Sequence, residues 1–376
     1  MGDPRPEFYL YYNQLLDHIE QKSEIFKNRI ETFPRQFEIH LPSNHIRSCN
    51  LACSHCAGRL FDKTLGTWEL DGLDLLNQLS GKIPYHIYGG AYTEPIMNPY
   101  LLSFIATTKR YGNHFGIHTN GVFLYSLEKE IGLLTELNRL STDSIDYLSV
   151  SIDAGTSSSW ANSKKALDPK GFTEILKGLD RAMAIKSQKN TSGHAIRLCY
   201  LISPETGTEK DFKDIVEIAK ILKVDSLRFS IPFASYNQTF DTVRSYKKEV
   251  EIPKNTEYYK MLKGYLSDEN DKTVKPYIFY SGPEFTDIDR YTFKDCFYNY
   301  YQITLGADGY FYKCSTVATP TAKHCRVGKL TNDYGTFMNA LMRNNKPWNC
   351  QGECFDKGLR CNRMGVEINE AVNWGL

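Results

Sequence analysis

Between residues 36 and 235, short segments rich in Ile, Tyr, Phe and Val alternate with longer stretches of helical period. This alternation is the strongest constraint on the fold. Strands are predicted from Gln36, over 83–90, 114–121, 147–155, 195–202 and 226–233. Helices are predicted near Trp68–Leu79, over 99–112, Leu124–Leu140, Phe172–Ile185 and 211–224. Such βα repetition favours an α/β fold, a parallel sheet or barrel with its active loops at the carboxyl ends of the strands.

The flanks read differently. Residues 7–33 carry Leu15, Ile19, Ile25 and Ile30 at roughly helical spacing without internal Pro or Gly, so a helical extension is expected over 1–35. Residues 236–290 are polar and read as an irregular connecting segment. Residues 300–314 read as a β-hairpin turning at Ala307-Asp308-Gly309, with Tyr298, Tyr300, Tyr310 and Tyr312 alternating as packing residues, and Arg326–Leu330 as a short strand. The rest of 291–376 is short of long helices and is expected to depend on metal for its order.

Lys and Arg total 45 against 44 Asp and Glu, a net charge of +1. Electrostatics therefore offers no argument for nucleic acid or an acidic membrane surface. No apolar run approaches the roughly 18 residues that span a bilayer, and the N-terminus lacks a basic region followed by an apolar stretch. A cytoplasmic protein with neither nucleic acid nor membrane as partner is expected.

Ten cysteines need a purpose. Disulfides concentrate in small secreted domains, and this long chain shows no secretory signal, so thiolate ligation of metal is the better reading. Cys49, Cys53 and Cys56 form a C-x3-C-x2-C loop directly after the first predicted strand. Three thiolates on one tight loop can hold three corners of a cubic iron–sulfur cluster and leave the fourth iron for another ligand. Structural zinc prefers four closed ligands in paired C-x2-C units. His45 or His55 could supply a fourth ligand, so a zinc-binding interaction protein without redox chemistry remains an alternative.

This loop resembles the signature of the radical S-adenosylmethionine (radical SAM) superfamily, with His55 where relatives usually carry an aromatic residue. Further elements follow in the same order. Gly89-Gly90 and Glu94-Pro95 are similar to the family's Gly-Gly-Glu-Pro element, which meets the SAM amino group, although Ala91-Tyr92-Thr93 intervene here. Thr119-Asn120-Gly121 ends the third strand, and the fourth carries Ser149, Ser151 and Asp153; both are similar to family elements near SAM. The resemblance implies a partial (β/α)6 barrel over 36–235, with a [4Fe–4S] cluster on Cys49, Cys53 and Cys56. It implies SAM contacts from His55, Gly89, Gly90, Glu94, Asn120, Ser151 and Asp153. It also implies reductive cleavage of SAM to a 5′-deoxyadenosyl radical that abstracts hydrogen from substrate, fed by a one-electron donor such as flavodoxin or ferredoxin.

Cys296, Gly309 and Cys314 have the spacing C-x12-G-x4-C, which resembles the opening of the SPASM/twitch extension of many radical SAM proteins. Cys350, Cys354 and Cys361 follow as C-x3-C-x6-C. Two fully ligated auxiliary clusters would need about eight thiolates, and six lie beyond the core. One auxiliary iron–sulfur cluster is therefore expected. Cys296 and Cys314 would hold it with two of Cys350, Cys354 and Cys361, the first two of these preferred. Cys199 reads as a small buried hydrophobe. Cys325, or whichever tail cysteine misses the cluster, is a candidate hydrogen donor by analogy with radical SAM epimerases.

Two substrate classes stand side by side. One is a small biosynthetic metabolite (sugar, aminocyclitol or nucleoside) that is oxidised or epimerised. The other is a ribosomally made peptide that is crosslinked or epimerised. Only about 35 residues precede the expected core, fewer than a peptide-binding winged-helix module needs, and this favours the small molecule.

Overall fold

Ten strands form one continuous sheet in the order β10-β9-β8-β1-β2-β3-β4-β5-β6-β7 in this computed structural model. It describes residues 33–43, 49–53, 56, 68–90, 93–166, 168–188, 193–203, 205–230, 276–278, 298–318 and 322–345. The strands are β1 (Gln36–Ile39), β2 (Tyr85–Tyr88), β3 (His114–Thr119), β4 (Tyr147–Ser151), β5 (Ala195–Leu201), β6 (Ser226–Ser230), β7 (Pro276–Ile278), β8 (Gln302–Leu305), β9 (Tyr310–Tyr312) and β10 (Arg326–Lys329). From β8 through β1 to β7 every pairing is parallel; β9 and β10 are antiparallel.

The helices between the strands are α1 (Glu69–Leu79), α2 (Leu101–Arg110), α3 (Leu124–Ile131), α4 (Leu133–Leu140), α5 (Ser157–Lys164), α6 (Lys170–Ser187) and α7 (Glu209–Leu222). Their apolar faces follow the helical repeat. In α6, Phe172, Ile175, Leu179, Ala182 and Ile185 are buried. In α7, Phe212, Ile215, Val216 and Ala219 are buried, and the Thr208 side chain caps the first turn by accepting from Asp211 N. These faces meet one side of the sheet, where Phe37, Ile39, Phe115, Ile117, Leu148, Val150, Ile196, Leu198, Leu227 and Phe229 are at most 1% exposed. Each such side chain contributes about 1.5–3 kcal/mol on burial.

The other side of the sheet is polar. Parallel strands covered on both faces are usually apolar throughout. Here Glu38, His118, Ser149, Ser151, Arg197 and Arg228 occupy the alternate positions, and Ser149 pairs across the register with His118 and Arg197. A parallel sheet with one polar face marks the side on which a polar ligand can be held.

Several local expectations change. The single helix over Leu124–Leu140 is two helices. Gly132, at φ 65°, closes α3, and the Glu128 carboxylate accepts Thr135 N and Oγ1 to start α4. Helix α5 was not anticipated; Thr156 and Ser159 form a capping box at its start. Strand β7 arises in the segment expected to be irregular. Tyr298–Tyr301 form a short helix, α8, so the tyrosine alternation belongs only to β9. The C-terminal part contains α9 (Tyr334–Asn344), capped by Asp333, where no long helix was expected. Residues 7–32, most of 235–290 and everything after 345 lie outside the described residues, and so do the expectations made for them.

The predicted hairpin is present. Gly306 N donates to Tyr310 O at 2.8 Å, and Gly309, at φ 75°, takes the left-handed position of the turn. It is also docked: β8 lies beside β1, Gln36 Nε2 donates to Gln302 Oε1 at 2.9 Å, and Trp68 Nε1 donates to Ala307 O at 3.0 Å. Among the described residues no helix is long and apolar enough to cross a membrane.

Candidate active site

Four strand ends meet at one edge of the sheet. The loop after β1 carries Cys49, Cys53 and Cys56, all half-buried, and Cys56 N donates to Cys53 O at 3.1 Å to close the turn between them. His55 lies outside the described residues. After β2, Gly89 N donates to Ile39 O at 3.2 Å, which fixes this turn against the end of β1. Gly90 sits so close to His40 that a Cβ would lie 2.6 Å from the imidazole. An antiparallel bridge pairs Gly90 with Thr93, the residue before Glu94.

Glu94 is 1% exposed. Its Oε1 accepts from Thr119 Oγ1 at 2.5 Å and Ile96 N at 3.4 Å, and its Oε2 accepts from Asn120 N at 2.7 Å. Asn120 also reaches the cysteine loop: its Nδ2 donates to Asn50 Oδ1 at 2.8 Å and to Cys49 Sγ at 3.5 Å. Asn120 thus connects the ends of β1, β2 and β3. Burial pushes the Glu94 carboxyl up to about 7, against the lowering effect of its hydrogen bonds. Burial, with the nearby Glu94 carboxylate, pushes the Cys49 thiol up to about 12.

The end of β4 is arranged differently. Ser151 is half-buried and pairs in register with Cys199, and Ser149 Oγ lies 2.9 Å from Cys199 Sγ. Asp153 is 2% exposed. Its Oδ1 accepts Leu201 N at 2.7 Å, and its Oδ2 forms an ion pair with Lys164. Lys164 is the residue that sequence reasoning missed, because the Ser-rich stretch around it carries no motif. Farther down the polar face, His118 Nε2 lies 3.0 Å from Tyr147 Oη, and the Arg197 guanidinium stacks over the Tyr147 ring at 4.1 Å.

Of the C-terminal cysteines, Cys314 and Cys325 are described. Both are buried in a small apolar cluster with Tyr312, Val317 and Ala318. Cys296, Cys350, Cys354 and Cys361 lie outside the described residues.

The sequence matches no protein-family model and no curated protein. Solved structures do match. SuiB of Streptococcus suis bound to S-adenosylmethionine superposes with a TM-score of 0.53 at 14% identity, covering 81% of this chain and 65% of SuiB. SuiB bound to precursor peptide SuiA gives 0.53 at 13% identity, covering 82% and 66%. The chain thus spans less than two thirds of the length of SuiB. Native anSMEcpe with bound AdoMet gives 0.48 at 11% identity, covering 90% and 96%. With its parallel sheet, its helices on one face and its three-cysteine loop after the first strand, this chain has the radical SAM partial-barrel fold.

Proposed function

We propose that the chain is a radical SAM enzyme that abstracts hydrogen from an organic substrate held against the polar face of the sheet. The observation that carries this reading is Asn120, which joins Cys49 of the three-cysteine loop to the buried carboxylate of Glu94.

The residues present fit the two groups the fold implies. Cys49, Cys53 and Cys56 form a three-thiol donor set, and burial keeps the Cys49 thiol protonated unless a cationic metal centre is bound. Glu94 is a buried carboxylate with no cation hydrogen-bonded to it among the described residues, and beside it Thr93 Oγ1 is buried without a hydrogen-bond partner among them. An ammonium such as that of SAM meets both needs. When bound, a reduced [4Fe–4S] cluster supplies the electron that cleaves SAM and yields the 5′-deoxyadenosyl radical. The chain's own residues hold and orient. Glu94 takes the amino end, while Gly89 and Gly90 keep the β2 turn low enough for close approach. Asn120 fixes the cysteine loop, Ser151 faces the ribose side, and His55 flanks Cys56.

Cys296, Cys314 and two of Cys350, Cys354 and Cys361 would hold one auxiliary iron–sulfur cluster, and flavodoxin or ferredoxin would supply electrons. The division at 35, 235 and 290 stays part of this reading. For the substrate, the hydrogen-bonding groups of His118, Tyr147, Ser149 and Arg197 favour a small polar metabolite, oxidised or epimerised at a carbinol. A peptide is the second reading, supported by the likeness to SuiB, which binds SuiA.

The test is anaerobic reconstitution. About eight iron and eight sulfide per chain are expected, falling to about four in Cys53→Ala. The reduced wild type should form 5′-deoxyadenosine from SAM and Cys53→Ala none. Stoichiometric zinc without iron would sink the reading.

A further inference from the structure

Lys164 is the last residue of α5 and is 2% exposed. A buried ammonium costs several kcal/mol unless it is well paired. Its partner Asp153 is itself unusual: it is 2% exposed, its backbone is held at φ 53°, and its second carboxylate oxygen is fixed by Leu201 N. Left-handed backbone is disfavoured for residues with a Cβ, though less so for Asp, whose short side chain can hydrogen-bond locally. Two buried charges and one disfavoured backbone conformation are thus concentrated at one point, where apolar side chains would pack at least as well.

The same residue is joined to the metal-binding loop. Lys164 O accepts Ala52 N at 3.4 Å, next in sequence to Cys53. Burial works against the charge on Lys164, but Asp153 and then Cys53 and Cys49 outweigh it and hold the ammonium protonated. The cation also lowers Glu94. Asp153 therefore holds both Leu201 N and the Lys164 ammonium at the end of β4.

We propose that the Lys164–Asp153 pair sets the reduction potential of the cluster held by Cys49, Cys53 and Cys56. The proposal rests on the radical SAM reading. Reduction adds one negative charge to a group already bound by three thiolates. A fixed cation behind the loop stabilises that charge in a low-dielectric setting, and Asp153 both anchors the cation and tempers its field. The pair acts on the cluster itself, so its effect needs no SAM.

The experiment is an EPR-monitored potentiometric titration of the reconstituted protein without SAM, with iron counted for every variant. The relevant signal is identified by its loss in Cys53→Ala. Lys164→Gln should lower the reduction equilibrium constant about tenfold, ~59 mV for a one-electron couple. Lys164→Arg, which keeps the charge, should titrate with the wild type. Asp153→Asn, which removes the anion, should shift the midpoint upward. An unchanged midpoint in Lys164→Gln at wild-type iron content overturns the proposal, as do shifts of the same sign in Lys164→Gln and Asp153→Asn. If Lys164→Gln takes up no iron, Asp153→Asn decides alone: a rise supports the proposal, and no change or a fall overturns it. A wild-type chain that binds zinc and no iron overturns the radical SAM reading first.

Discussion

The side-chain amide of Asn120 donates to Cys49 Sγ at 3.5 Å, across 71 residues of sequence. The same side chain donates to Asn50 Oδ1 and accepts from Val122 N. Asn120→Ala removes these contacts while leaving the main-chain bond to Glu94. A stability loss of about 1 kcal/mol is expected. The larger effect should be on the loop: iron should leave the reconstituted variant several times faster than the wild type when a chelator is added, followed by loss of absorbance near 400 nm.

Glu94 predicts a pH dependence with a definite sign. Its carboxyl is raised from 4.5 to about 7 by burial. In the metal-free protein its contribution to stability is therefore full below pH 4.5 and is lost as pH rises to about 7. The loss amounts to about 3 kcal/mol at 1.36 kcal/mol per unit. Urea unfolding of wild type and Glu94→Gln at pH 5 and pH 8 measures it: the wild type should lose more stability than the variant between the two. Equal losses would show that Glu94 is not the titrating group.

Gly116 lies under the Tyr147 ring, where a Cβ would fall 2.2 Å from the ring carbon Cζ. Gly116→Ala must displace Tyr147 and break its contact with His118. The expected cost is about 1–3 kcal/mol. Combining it with Tyr147→Leu should recover most of that loss relative to Tyr147→Leu alone, a coupling visible in a double-mutant cycle.

Asp146 is fully buried and accepts from Lys109 Nζ at 2.8 Å, Phe115 N at 2.9 Å and Thr142 N at 3.1 Å. Burial raises its carboxyl, but hydrogen bonds from His114, Lys109 and Phe115 outweigh it and hold the group below its usual range. Its stabilisation is present above the ordinary carboxyl value and is lost as pH falls below it. Asp146→Ala leaves the Lys109 ammonium, 8% exposed, without its partner, and should cost about 3–5 kcal/mol. The difference between wild type and variant should shrink in acid.

The barrel core was legible because each of its first six strands is a short apolar segment between amphipathic helices, and local pattern dominates there. The cysteine loop and Glu94 stand out in the sequence by residue type and spacing, and the structure brings them together through Asn120. Gly132 was visible in the sequence, yet the helical period runs through it, and only the Glu128 carboxylate taking Thr135 N makes the break stable. Lys164 was not legible: its importance comes from Asp153 and Ala52, which sequence pattern does not bring beside it. The docking of β8 on β1 likewise depends on a partner 266 residues away.

That docking has a consequence during synthesis. The free backbone edge of β1 is complete as soon as residue 39 leaves the ribosome, but the strand that covers it spans Gln302–Leu305. At roughly 5–20 residues per second, translation leaves that edge unpaired for tens of seconds after its neighbour β2 is available. An uncovered strand edge is a template for pairing with other chains. The nascent core is thus most vulnerable to aggregation before the C-terminal hairpin emerges, and the hairpin acts as the closing clasp of the sheet.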